Sequence, residues 1–392
     1  ALMSSAWADR AWLFFFVGLV GLFQMSFRHR MNVMMLCSVG SFWERRGDFV
    51  KAEPPLQRAV HIAKEHLGEK CSVYVRAAKQ LGCLYTLTGL YSDAEPLLLA
   101  VRQAEGNALG KKPWRKKLRL QTRFAETLCE SARVYMATGR PVEAERMLRQ
   151  AWEIYDRVFG PLHPTSNACL CDLASLYKTK GLHGISWKLY SKVLKAQEKT
   201  FGTCDLQYAT SLSSLADVHA ARGNHDKAEE LFNKAKEIRL FKLGQWHADY
   251  AACLNNMASY YKGRGMYERA EELYDEAKEI WAQTVGEDHP DFATCLNNLA
   301  GLHMAMGSYE KAEAIYLQAR DRWSWLVGET HPNFATCLGN MAELYRKMGQ
   351  NEKADAALLR VRRIKQALGG NSPVAPMPAA SYADGHDNRG VG

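Results

Sequence analysis

Glycine recurs at Gly139, Gly181, Gly223, Gly265, Gly307 and Gly349, always 42 residues apart. An interval repeated five times makes the chain a tandem array of one structural unit. The register continues upstream to Gly47 and Gly89, again 42 apart, whereas 50 residues separate Gly89 from Gly139. Eight units follow, with an eight-residue insertion before the third. A chain of 392 residues is longer than a single hydrophobic core usually serves, and an array meets that limit by stacking units.

Around each glycine the pattern is two helices and a tight turn. In Leu254 to Ile280, Met257, Ala258 and Tyr261 share one helical face before the glycine, and Ala270, Leu273, Tyr274 and Ala277 share one after it. Five residues past the glycine stands a small side chain: Ala52, Ala94, Ala144, Ala228, Ala270, Ala312 and Ala354, with Ser186 in the fourth unit. Two helices are expected to approach closely there. Between units a second glycine (Gly160, Gly202, Gly244, Gly286, Gly328) precedes His163-Pro164, His289-Pro290 and His331-Pro332, so glycine closes one helix and proline opens the next. His247 lacks the proline, and Asp205 replaces both residues. These histidines are expected to cap or pack. The 10 cysteines include no CxxC pair, and Cys169, Cys253, Cys295 and Cys337 fall in one repeat register, as small buried thiols would.

The alternation G-x-x-H-P, a C-L-N-N-L-A-type helix and G-x-Y-x-x-A-E resembles the 42-residue tetratricopeptide repeats of the kinesin light chain and nephrocystin class. The resemblance runs from about Phe42 to Leu368 and is densest between Gly244 and Gly349. It implies an all-α solenoid of about eight helix-turn-helix units, whose first helices line a concave groove that binds peptides or protein segments. Asn255, Asn256, Asn297, Asn298 and Asn340 occupy the family's Asn-Asn position, where the resemblance implies amides that hydrogen-bond a bound backbone. An amide both donates and accepts, as an extended peptide requires. The competing expectation is that these amides bridge neighbouring repeats.

Ahead of the array, Ala11 to Phe27 holds 17 residues without a charge, followed by Arg28, His29 and Arg30. As a helix it would reach about 26 Å, the short edge of a membrane span. A transmembrane anchor is expected, with the repeats on the positive-inside face; a surface helix, a protein-buried helix and a signal peptide are the alternatives. The layout is similar to that of the membrane-anchored mitochondrial tetratricopeptide proteins that assist respiratory complex III. The expected organisation is an N-terminal segment over 1–41, two divergent units over 42–105, a basic insertion over 106–123, six regular units over 124–368, and a Gly/Pro/Ala-rich arm over 369–392.

The insertion gathers Lys111, Lys112, Arg115, Lys116 and Lys117 around Trp114, a cluster suited either to anionic lipid or phosphate or to a solvated loop. The formal charge of +9 is too diffuse to predict nucleic-acid binding. No phosphate loop, nucleophile elbow or HExxH is present, so neither catalysis nor a cofactor or metal is expected. The sequence reads as a membrane-anchored scaffold: a subunit or assembly factor of an organellar membrane complex, at the mitochondrial inner membrane first and a plastid membrane second. A soluble adaptor binding extended peptides is the alternative.

Overall fold

A computed structural model describes residues 25–46, 48–110 and 114–367, and every regular element among them is a helix. The chain forms two compact units, Ala1–Val134 and Tyr135–Gly392. The first holds α1 (25–45), α2 (Phe49–Leu67), α3 (Ser72–Leu87), α4 (Tyr91–Leu109) and most of α5 (Trp114–Ala137). The second holds α6 (Pro141–Phe159), α7 (Pro164–Thr179), α8 (His183–Phe201), α9 (Leu206–Ala221), α10 (His225–Leu243), α11 (Ala248–Gly263), α12 (Tyr267–Thr284), α13 (Pro290–Ala305), α14 (Tyr309–Val327), α15 (Pro332–Lys347) and α16 (Asn351–Ala367).

From Gly89 onward the periodic glycines end the first helix of each pair. Gly265 takes φ +74°, a left-handed conformation that a Cβ would penalise, and the next residue's N–H, on Met266, reaches back to the Tyr261 carbonyl (3.0 Å). The same bond recurs from Leu90 to Tyr85, Asn224 to His219 and Gln350 to Tyr345. Immediately afterwards each second helix presses its small residue inward: all seven alanines and Ser186 are fully buried. The Ser186 hydroxyl donates to the Ala174 carbonyl at 2.7 Å, which accounts for serine in that place.

The linker histidines cap. His163, His247, His289 and His331 each accept, through Nδ1, the N–H two residues on, at 3.1–3.2 Å, and Asp205 does the same with its carboxylate. Burial holds His289 below the usual imidazole range, keeping the neutral form that can accept. The register cysteines are buried: Cys169, Cys295 and Cys337 turn Sγ toward the carbonyls of Leu148, Tyr274 and Tyr316, each 21 residues earlier. Cys253 instead meets the buried Arg239 guanidinium (3.6 Å), which also donates to the Ala209 carbonyl and the Thr210 and Ser213 hydroxyls. Trp281 and Trp323 fill the place of Arg239 in the next two units.

The segment 106–123 lies partly in α4, which runs to Leu109, and partly in α5. With 24 residues, α5 is eight longer than α3 or α7, so the extra residues become about two additional helical turns. Lys, Arg and Leu are good helix formers, and a charged helical extension has no buried face to reveal it in sequence. Of the anchor expected at Ala11 to Phe27, only 25–27 lie within the described residues, at the start of α1. Among the described residues no helix is long and apolar enough to cross a membrane. The arm over 369–392 also lies outside them.

Candidate protein-binding groove

In the second unit, consecutive first helices touch: α7 with α9, α9 with α11, α11 with α13, and α13 with α15. They therefore line the crowded inner side of this stack, and their unburied faces form its floor. One register across that floor carries Ser214, Asn256, Asn298 and Asn340, all half-buried.

The asparagines expected to grip a ligand are largely engaged with each other. Asn298 Nδ2 donates to Asn255 Oδ1 (3.1 Å), and Asn340 Nδ2 donates to Asn297 Oδ1 (3.2 Å), each bond joining one repeat to the next. Asn255 is 2% exposed and serves the inter-repeat contact alone. Asn298 and Asn340 stand at the groove register, and each of these bonds uses one of the amide's two N–H groups. Asn256 shares that register and makes no inter-repeat amide bond, because Ser213 stands where the partner asparagine would be. The Ser213 hydroxyl is already bonded to the Ala209 carbonyl and Arg239. The bridging expectation is thus met at Asn255 with Asn298 and at Asn297 with Asn340.

Lys111 and Lys112 lie outside the described residues, Arg115 and Lys116 fall on the first turn of α5, and Lys117 is exposed on its second. Glu229 and Glu271, on the second helices, reach to the following repeat. Glu229 accepts from the Tyr261 hydroxyl (2.9 Å) and pairs with Arg269 (3.3 Å), while Glu271 lies 3.7 Å from His303. Glu145 plays the same part toward Tyr177 (2.9 Å) and Lys180 (2.6 Å). Burial and the Glu229 carboxylate push the Tyr261 phenol up to about 12, so it stays a donor at any physiological pH.

Charge on the groove floor is set by lysines that sequence reasoning passed over. Lys178 on α7 pairs with Asp217 on α9 at 2.9 Å. Two repeats on, Lys262 of α11 reaches toward α13 at the same spacing of 39 residues, but there it meets Gly301. Its ammonium lies 3.4 Å from where a Cβ of Gly301 would begin, and the Tyr316 hydroxyl lies 3.3 Å from that point. Burial lowers the Lys262 pKa from its ordinary value. A repeat-by-repeat comparison exposes this departure, since positions 217, 259, 301 and 343 read Asp, Ser, Gly and Glu.

Two tetratricopeptide repeat family models match residues 125–165, 186–240, 251–291 and 291–367, together just over half of the sequence. The chain is a tetratricopeptide repeat protein. Among solved structures, the TPR-like repeats ascribed to a Podosopora anserina kinesin light chain are 26% identical, covering 52% of this chain and 96% of theirs (TM-score 0.42). BtubC from P. vanneervenii is 25% identical over 67% of this chain and 96% of its own (0.44). The Rap conjugation regulator of plasmid pLS20, solved with the Phr* peptide, is 13% identical over 88% of this chain and 99% of its own (0.55), a likeness of fold. No curated protein matches this tetratricopeptide repeat protein.

Proposed function

We propose that this chain is a non-catalytic scaffold that holds an extended segment of a partner protein along the first helices of its second unit. The observation that carries the reading is the polar row Ser214, Asn256, Asn298 and Asn340 on four successive helices. It presents donors and acceptors at repeat spacing along the stack, suited to a backbone rather than to a compact ligand. Selecting an unbiased random-peptide display library on the full chain tests it. Peptides should enrich on the wild type and be lost when Asn256→Trp fills the groove; no enrichment, or enrichment indifferent to that block, would overturn the reading.

A second reading places this scaffold on a membrane, as a subunit or assembly factor of an organellar complex, with the mitochondrial inner membrane first and a plastid membrane second. Helix α1 supports it. Phe27, Met31, Met34, Met35, Val39 and Phe42 are 40–61% exposed on one helix, directly continuing the apolar run at Ala11 to Phe27, with Arg28, Arg30, Arg45 and Arg46 around them. Carbonate extraction followed by native electrophoresis decides it. Retention in the pellet and comigration with a large complex are expected; release as a small soluble species would leave the peptide-binding adaptor.

A further inference from the structure

We infer that the notch over Gly301 is a seat for one carboxylate side chain, Asp or Glu, of the segment bound in the groove. The inference rests on the groove reading above and adds to it a fixed acidic position.

Three observations converge. Among the described residues Lys262 makes no ion pair or hydrogen bond, although it is half-buried and has lost part of its hydration. A desolvated ammonium without an acceptor is unfavourable until an anion arrives. Tyr316, 1% exposed, aims its hydroxyl at the same point and likewise has no partner for it. In the preceding repeat the matching Tyr274 hydroxyl is bonded to Ser259 at 2.7 Å, and Gly301 removes that serine from the next. The third observation is internal: two repeats upstream the chain fills the equivalent place with Asp217, 2.9 Å from Lys178. A carboxylate therefore fits opposite this lysine by the protein's own example. One cation and one hydroxyl match a single negative charge, and the nearby Glu343, which helps raise the Tyr316 phenol, disfavours a doubly charged phosphate.

The test uses peptides from the random-library selection, measured against the wild type, Lys262→Met and Gly301→Asp. The aspartate would supply the missing carboxylate in place; a Cβ there meets only the Tyr316 hydroxyl at 3.3 Å and the Lys262 ammonium at 3.4 Å, so the fold is expected to survive, checked by circular dichroism. Wild-type peptides should share an Asp or Glu at one position. Changing it to Asn or Gln should weaken binding roughly ten- to a hundredfold on the wild type and leave binding to either variant almost unchanged. Peptides with no acidic position, or an acidic residue that matters equally in all three proteins, would overturn the seat while leaving the groove reading intact. Failure to select any peptide would remove the groove reading and the seat with it.

Discussion

Asp291, at the first turn of α13, is 9% exposed, and its pKa is pushed up to about 6 by burial and by Asp249 of the preceding repeat, with His289 facing it at 3.7 Å. In the unfolded chain the group would titrate near 3.9. Between those values the folded chain holds a proton that the unfolded chain lacks, so stability falls as pH rises from about 4 through 6. Ionised Asp291 is then a penalty on the order of 2 kcal/mol at neutral pH. Asp291→Asn is expected to melt higher than the wild type at pH 7 and to match it near pH 4; a variant that melts lower at pH 7 would refute this. Nothing in a single aspartate after His-Pro announces such burial. The capping histidines and register cysteines were legible because they recur, whereas the fate of each asparagine depended on the residue opposite it one repeat away. Asn255 reads as a ligand contact until Asn298 is seen to claim it.

At the scale of the element, small residues decide how closely helices pack, and α1 against α2 is the extreme case. A Cβ placed on Gly40 would lie 2.5 Å from Leu56 Cγ, inside any real contact distance. Alanine favours a helix by about 1 kcal/mol over glycine, so Gly40→Ala would stabilise an isolated α1. Here the overlap is expected to outweigh that gain and destabilise the first unit by roughly 1–3 kcal/mol. Trimming Leu56 to Ala in the same chain should recover much of the Gly40→Ala loss, and thermal melts of the single and double variants provide the cycle. Additive losses would show that the two residues do not meet. Sequence periodicity located the second helices well because glycine and alanine bracket them. The extension of α5 was obscured by its charge, and the lone Gly40 carried no repeat to mark it.

For the whole molecule, among the described residues the first unit has a core from Val33 to Val134 and the second has one from Ala174 to Ile364. In an array, each pair is stabilised mainly by its neighbours, so stability is shared along a core and need not pass from one core to another. The first unit also places Pro54 and Pro55 inside α2 and Pro96 inside α4. Each removes a backbone donor and crowds the preceding turn, an effect of about 3 kcal/mol in a helix interior. Within the described helices of the second unit, proline stands only at the first turn, at Pro141, Pro164, Pro290 and Pro332, where no donor is needed. Native-state hydrogen exchange in rising denaturant should therefore resolve two sets of amides, with α2 to α4 opening at lower denaturant than α9 to α14. A single isotherm shared by both sets would show one cooperative unit and contradict the division. The division also bears on function, because the polar row and the Lys262 notch both lie in the second unit. A segment bound there should raise protection of α9 to α15 and leave the exchange of α2 to α4 at its unliganded rate.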